Sequence, residues 1–248
     1  LRAESFSVLV AILDVAGNKD SSMGLFTNLE TLELAKMFSR SKGVMGGADL
    51  ERAFAWLRPN DLIWAYWVNN YLLGKEPPAF DILFWNADTT NLPAALHSDL
   101  MDLLEFGGLT VGNGPTIGGH QLHLGQITCD TYVLGGETDH ITPWEGTFLT
   151  TKGLGGPWQY VLSQSGHIQS LISPPGNAKA RYFTNPANPT SAEAFMAGAE
   201  KHEGTWWLHW AEWLDQHGGG KVSARPALGS EMHPAGADAP GTYVMMPA

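Results

Sequence analysis

The sequence has a single cysteine, few positive charges and no long apolar run. One cysteine in 248 residues excludes an internal disulfide framework and a zinc site built from cysteines. Lys and Arg total 14 against 25 Asp and Glu, so the net charge is −11, which argues against binding to nucleic acid or anionic membranes. No run approaches the roughly 20 apolar residues of a membrane-spanning helix. The single thiol and the lack of a signal peptide predict a reducing, cytoplasmic setting.

What the sequence does contain is apolar and aromatic. Hydrophobic residues make up 44% of the chain and charged residues only 16%, and there are ten tryptophans. Large amphipathic rings are favoured in cores, at interfaces and against apolar ligands, so we expect a globular protein with much apolar surface to cover. The chain lacks an initiator Met and opens almost directly into a β-like run, which predicts that it is the C-terminal part of a longer protein.

The order of predicted elements indicates an α/β fold. An apolar run at 6–13 predicts a strand buried on both faces, three helices follow, and strands are predicted at 82–85, 131–134 and 160–162. Late helices are expected at 192–201 and 206–216. This order predicts a doubly wound sheet with a helical cap inserted. The expected divisions are a core strand (1–16), a helical cap insertion and return to the core (17–105), the rest of the core (106–217) and an extended tail (218–248).

The third predicted helix carries an aromatic stripe at helical spacing, formed by Trp64, Trp67, Val68 and Tyr71. The simplest interpretation of such a stripe is a core face, and direct contact with a substrate is the alternative.

Polar residues follow two of the predicted strands directly. Asp139 comes shortly after the strand at 131–134, and His167 follows the strand at 160–162. Loops at the carboxyl ends of neighbouring parallel strands meet at one edge of a sheet, where a carboxylate can orient an imidazole. Asp139 could instead cap a helix, and His167 could be an ordinary loop or core histidine. Their matching positions favour a catalytic pair, in the chain order acid then histidine.

A nucleophile for this pair is missing from the sequence. No G-x-S-x-G or G-x-C-x-G turn occurs, and Cys129 lies in a strand approach without flanking glycines, which is typical of a buried small residue. We therefore expect the nucleophile upstream of the first residue. His120 and His123 are interpreted as surface loop residues rather than metal ligands, and no metal site is expected. His140 could contact substrate or cap the next helix. The carboxylates of Glu30, Glu33, Asp99 and Asp102 are interpreted as solvated helix faces.

Several segments resemble the poly(3-hydroxyalkanoate) synthases. The resemblance is carried by LRPNDLIWAYWVNNYLLGKEPPAFDILFWNADTTNLP (57–93), DHITPW (139–144), SGHIQSLISPPGN (165–177), GTWWLHWAEWL (204–214) and PGTYV (240–244). The amino-acid sequences of the segments LELA and AEKHEGTWW are closer to those of the single-subunit synthases that prefer short-chain monomers.

This resemblance implies an α/β-hydrolase core with a mobile cap and a Cys–His–Asp set, in which Asp139 and His167 match the acid and the histidine. The implied reaction polymerises (R)-3-hydroxyacyl-coenzyme A to poly(3-hydroxyalkanoate) with release of coenzyme A. The implied partners are this thioester substrate, the growing polyester, the granule surface and a second copy in a homodimer, without a cofactor or nucleic acid. A thioesterase or esterase on the same scaffold, and a non-catalytic granule-binding fragment, are the alternatives.

Overall fold

The described part of the chain alternates strands and helices. The computed structural model describes residues 3–14, 28–57, 59–77, 89–105, 107–109, 114–187, 189–239 and 241–242. The strands are β1 (Ser5–Leu9), β2 (Val44–Met45), β3 (Leu92–Pro93), β4 (Thr116–Ile117), β5 (His120–Gln121), β6 (Asp130–Gly136), β7 (Trp158–Ser163), β8 (Arg181–Thr184) and β9 (Glu200–Glu203). The α-helices are α1 (Leu29–Lys42), α2 (Gly47–Leu57), α3 (Ala94–Glu105), α4 (Trp144–Gly153), α5 (His167–Leu171), α6 (Ala192–Ala197) and α7 (Trp206–His217). Two π-helical segments, Asn60–Trp64 and Trp67–Leu72, follow α2.

The central feature is a five-stranded mixed sheet in the order β1-β6-β7-β8-β9. The first three strands of this order run parallel, and β8 and β9 add in antiparallel fashion. The α/β class predicted from the element order is therefore confirmed. The parallel pairs bring the carboxyl ends of β1, β6 and β7 to the same edge, which is where the candidate site lies.

Apolar side chains cover both faces of the sheet. Successive residues of β6 and β7 point to opposite faces, and the buried ones divide between two clusters. On one face Val133, Tyr160 and Leu162 pack with Phe148 of α4 and Phe195 of α6. On the other, a second cluster combines strand residues with α7, namely Tyr132, Leu134, Val161, Trp206 and Trp213. This two-sided burial explains why the central residues of both strands, YVL in each, form a continuous apolar run.

The helices α1 and α3 pack against each other through polar groups. The Lys36 ammonium is buried and donates to Asp102 at 2.8 Å and Glu105 at 3.2 Å, and it also pairs with Glu33. Hydrogen bonds to Asp102 and Glu33 raise the pKa of Lys36. The side chains of Glu33 and Asp102 are 47% and 44% exposed, as the solvated-face interpretation predicts, and both also neutralise this cation.

Many other side chains of the helices before β4, here called the helical region, are apolar and exposed. On α1, Leu34 and Met37 are 66% and 63% exposed. The aromatic stripe predicted as a core face is also exposed, from 44% at Val68 to 72% at Tyr71. Its residues lie on the π-helical segments, whose wider turn departs from the 3.6-residue period on which the prediction depends. A core role for the stripe is therefore wrong for the described chain.

Several predicted boundaries shift in the structure. Strand β1 is shorter than predicted and lies at an edge of the described sheet. Val8 packs in the first cluster and Leu9 against the second, so both faces are covered there, whereas Phe6 is 40% exposed. The late helix predicted at 192–201 ends at Ala197, and the chain then forms β9. The strand predicted at 82–85 lies outside the described residues. Helix α7 agrees with the helix predicted at 206–216.

Candidate active site

Two loops at the carboxyl edge of the sheet are joined by backbone hydrogen bonds. The amide of Glu137 donates to Ser163 O at 2.8 Å, and the amide of Thr138 donates to Ser165 O at 3.2 Å. These bonds continue the parallel pairing of β6 and β7 beyond the ends of both strands. The loop that carries the acid and the loop that carries the histidine are therefore held in one register.

Asp139 is buried, and both oxygens of its carboxylate accept hydrogen bonds. Oδ1 accepts the amides of Ile141 and Thr142, each at 2.9 Å. Oδ2 accepts the Thr142 hydroxyl at 2.7 Å and lies 2.8 Å from His167 Nδ1. The two amide bonds form a turn ahead of α4, whose N-cap is Pro143 without a side-chain cap, so Asp139 orders the loop before the helix but does not cap it.

The structure brings His167 and Asp139 together, as the sequence predicted. His167 is the first residue of α5, and its imidazole is 27% exposed while the Asp139 side chain is fully buried. A carboxylate only accepts hydrogen bonds, so Nδ1 carries the proton and donates it to Asp139. This tautomer leaves a lone pair on Nε2, which has no hydrogen-bond partner among the described residues. An imidazole in this state can accept a proton from a nucleophile.

Opposing effects set the ionisation of the acid. Burial alone would raise the pKa of Asp139, but the hydrogen bonds from His167 and Thr142 outweigh it and hold the pKa below its usual value. The carboxylate is therefore ionised at neutral pH, as a group that stabilises an imidazolium must be.

Close packing fixes the backbone around the pair. A Cβ added at Gly136 would come within 3.1 Å of both Asp139 Cβ and Ser165 O, and within 2.9 Å of Ser170 Oγ.

Two residues near the pair have a strained backbone: Ser165 has φ +87°, and Val10, just past β1, has φ +45°. Non-glycine residues rarely adopt such angles, and strain of this kind concentrates at functional sites. Both strained residues lie at the edge that carries Asp139 and His167.

Thr142 is a site residue that the sequence analysis did not single out. Its hydroxyl donates to Asp139 and lies 3.2 Å from His167 Nδ1. The signal that could have identified Thr142 is its spacing, since a hydroxyl three residues after an acid on a tight turn can reach that acid.

The remaining candidates lie apart from this pair. Cys129 immediately precedes β6, whereas Asp139 follows its other end, about 20 Å away for a strand of this length. His120 and His123 are exposed on or next to the β4–β5 hairpin, and His140 is half-buried beside the acid. Among the described residues no cluster of His, Cys, Asp or Glu could hold a metal ion.

Comparison with known proteins identifies relatives along nearly the whole chain. No protein-family model matches. Poly(3-hydroxyalkanoate) polymerases 1 and 2 of Ectopseudomonas oleovorans are 46% and 47% identical to this chain over 243 and 244 residues. Each match covers 98% of this chain and 43% of the relative. The poly(3-hydroxyalkanoate) polymerase subunit PhaC of Cupriavidus necator is 39% identical over 207 residues, or 81% of this chain and 34% of the relative.

The chain thus spans less than half the length of the curated relatives that it matches. The matches to polymerases 1 and 2 cover 98% of this chain and therefore include the segments that contain Asp139 and His167. The family resemblance seen in the motifs is therefore confirmed: this chain is related to part of the poly(3-hydroxyalkanoate) polymerases.

Proposed function

We propose that this chain supplies the acid–histidine half of an acyltransferase that polymerises (R)-3-hydroxyacyl-coenzyme A to poly(3-hydroxyalkanoate). The observation that carries the proposal is the 2.8 Å contact between His167 Nδ1 and Asp139 Oδ2 on a partly exposed imidazole, whose Nε2 is unpaired within the part of the chain that the structure describes. The names of the relatives support polymerisation of a poly(3-hydroxyalkanoate), and the geometry of the site supports Asp139 and His167 as the residues that would perform it.

The proposed scaffold is the C-terminal part of an α/β-hydrolase fold. Parallel strands, an acid after one strand and a histidine after the next, in this chain order, are typical of that architecture. The proposed nucleophile is a thiol on a sharp turn contributed by polypeptide outside these 248 residues. In support, Cys129 lies at the opposite edge of the sheet from His167, too far away to serve.

In the first step, His167 Nε2 would take the proton of the thiol. The thiolate then attacks the thioester carbonyl, a new carbon–sulfur bond forms to the enzyme, and the bond to the coenzyme A sulfur breaks. His167 returns the proton to the coenzyme A thiolate. Asp139 would hold the imidazole in the required tautomer and stabilise its protonated form.

In the second step, the 3-hydroxyl of another acyl unit attacks the enzyme-bound acyl group. Its oxygen forms the new ester bond, the carbon–sulfur bond to the enzyme breaks, and the hydroxyl proton passes to the imidazole. One hypothesis gives Asp139 this proton directly. The structure favours His167 instead, because both Asp139 oxygens are engaged by hydrogen bonds and the side chain is fully buried.

The partners and setting follow from the same proposal. The chain would act in the cytoplasm at the surface of polyester granules, contact the growing polyester and form a homodimer. The exposed apolar side chains of the helical region are compatible with an apolar neighbour. No described helix is long and apolar enough to span a membrane. Coenzyme A enters as part of the substrate, and no cofactor is required. The preference for short-chain monomers stays a prediction.

The test uses the full-length polymerase that contains this chain. His167→Gln and Asp139→Asn should each lower the rate of coenzyme A release from 3-hydroxybutyryl-coenzyme A by at least about 10³-fold, because the base or its orienting acid is lost. His123→Gln, in an exposed loop, is the matched control and should retain wild-type turnover. Near-wild-type rates in both site variants would reject the assignment.

Product analysis separates this proposal from its alternatives. A polymerase yields polyester, whereas a thioesterase on the same scaffold yields free 3-hydroxybutyrate. The non-catalytic alternative applies to the isolated 248-residue chain, which should release no coenzyme A by itself. Turnover by that chain alone would contradict a nucleophile from outside it and would require a different residue to carry the acyl group.

A further inference from the structure

The helix that begins at the candidate base is very short and needs partners at its end. Helix α5 has five residues, from His167 to Leu171. The last carbonyls of any helix lack partners within that helix, and a helix this short has little stability of its own. The position of His167 therefore depends on what satisfies the end of α5.

Tryptophans of α7 supply those partners. Trp206 Nε1 donates to Ser170 O at 2.7 Å in a buried setting, and Trp207 Nε1 donates to Leu171 O at 2.8 Å. The Thr205 hydroxyl, at the start of α7, donates to Ser173 O just beyond α5. Three successive residues of α7 and its cap thus bind three carbonyls at the end of α5.

Ser170 connects this end of the helix back to the histidine. Its hydroxyl donates to His167 O at 3.0 Å, and its amide donates to Gly166 O at 2.8 Å. Its carbonyl also accepts the Ser163 hydroxyl at 3.3 Å. Ser170 is completely buried, so none of these groups has water as a substitute.

We propose that Trp206 and Trp207 are positioning residues for the candidate base: their indole N–H groups hold α5 and thereby keep His167 aligned with Asp139. Tryptophan suits this role because its N–H only donates, while its ring fills the apolar space between α7 and the sheet. The catalytic part of this inference rests on the proposed function, whereas the hydrogen bonding does not.

The first test measures hydrogen–deuterium exchange of the full-length protein and does not depend on activity. Trp206→Phe removes the donor to Ser170 O, Trp207→Phe removes the donor to Leu171 O, and both variants keep an aromatic ring. Trp210→Phe is the matched control, since Trp210 Nε1 donates to Ser7 Oγ of β1 instead. Backbone amides at 167–173 should exchange faster in the Trp206 and Trp207 variants than in the control. Equal protection in all three would overturn the proposal.

The second test is kinetic and asks whether these indole hydrogen bonds affect the catalytic action of His167. At saturating 3-hydroxybutyryl-coenzyme A, Trp206→Phe should lower kcat by about tenfold or more with KM within twofold, since small displacements of a catalytic group are costly. The control should keep kcat within about twofold. An equal loss in both variants, or a rise in KM alone, would refute the positioning role. An inactive wild-type enzyme would count against the proposed function, and the exchange test would still decide the indole contacts.

Discussion

At the residue scale, the candidate site depends on a hydroxyl as well as on the acid and the base. Thr142 donates to Asp139 Oδ2 and lies within reach of His167 Nδ1. A hydrogen bond to a charged group contributes about 1.5–3 kcal/mol. Thr142 therefore helps to keep the buried carboxylate ionised and correctly oriented.

We expect Thr142→Val in the full-length enzyme to lower kcat by about tenfold, the change that corresponds to 1.4 kcal/mol. The valine keeps the branched shape and removes only the donor. Thr142→Ser retains the hydroxyl and should stay close to the wild-type rate. Steady-state release of coenzyme A measures both, and a serine variant as slow as the valine variant would contradict a role for the hydroxyl.

At the element scale, α7 packs on the sheet around a neutral histidine. His209 Nε2 accepts the Gln159 amide at 3.2 Å, and Nδ1 lies 3.0 Å from the Tyr132 hydroxyl. Burial, followed by the proximity of His202, lowers the pKa of His209 from its usual 6.5, and Glu212 opposes the shift only in part. A protonated ring would lose the bond from Gln159, because it has no lone pair left to accept it.

This arrangement predicts that acid weakens the fold. Below pH about 6.5 the unfolded chain takes up a proton at this position and the folded chain does not, so the free energy of unfolding falls as pH drops. Urea unfolding of wild type and His209→Gln at pH 7.5 and 5.5 measures the effect, and the variant should lose less stability. Burial also lowers the pKa of His97, so part of the pH dependence of stability should remain in the variant.

His233→Gln, in the exposed tail, is the control for this measurement and should behave as wild type. If His209→Gln kept the full wild-type pH dependence, the buried imidazole could not be its source.

Elements also mark the limits of what the sequence predicts. The strands at 130–136 and 158–163 were predictable because continuous apolar runs are typical of strands buried on both faces. Strands β8 and β9 were missed because RYFT is short and EKHE is entirely polar. The Asp139–His167 contact was predictable from strand ends alone. Neither the polar interface around Lys36 nor the indole bonds to α5 could be predicted, since each joins residues at least 30 positions apart without a local signal.

At the scale of the whole molecule, apolar surface is concentrated in the helices before β4. Leu34, Met37, Tyr71 and Leu72 are each at least 60% exposed, on α1 and on the second π-helical segment. Exposed apolar patches cause association unless a partner covers them. The net charge of −11 provides a general repulsion that opposes it.

We expect the 248-residue chain expressed alone to bind an apolar-surface dye and to self-associate. Replacing Leu34 and Leu72 with glutamate should reduce both dye fluorescence and light scattering, because each change places a charge on the apolar helices. Val222→Glu changes an apolar residue in the tail that is 91% exposed, more than either leucine, and should have little effect. A similar reduction by the tail variant would attribute the effect to net charge rather than to the helices.

The backbone bonds that join the loops after β6 and β7 have a consequence for repeated turnover. Glu137 and Thr138 are bound to Ser163 and Ser165, so the acid and the base cannot separate without breaking the sheet's own extension. Under the proposed function, each monomer would meet the same proton acceptor in the same orientation, whether the product so far is a dimer or a long chain. The chemistry of a single addition would then be independent of product length, and any dependence of rate on length would arise from transport of the polymer away from this edge.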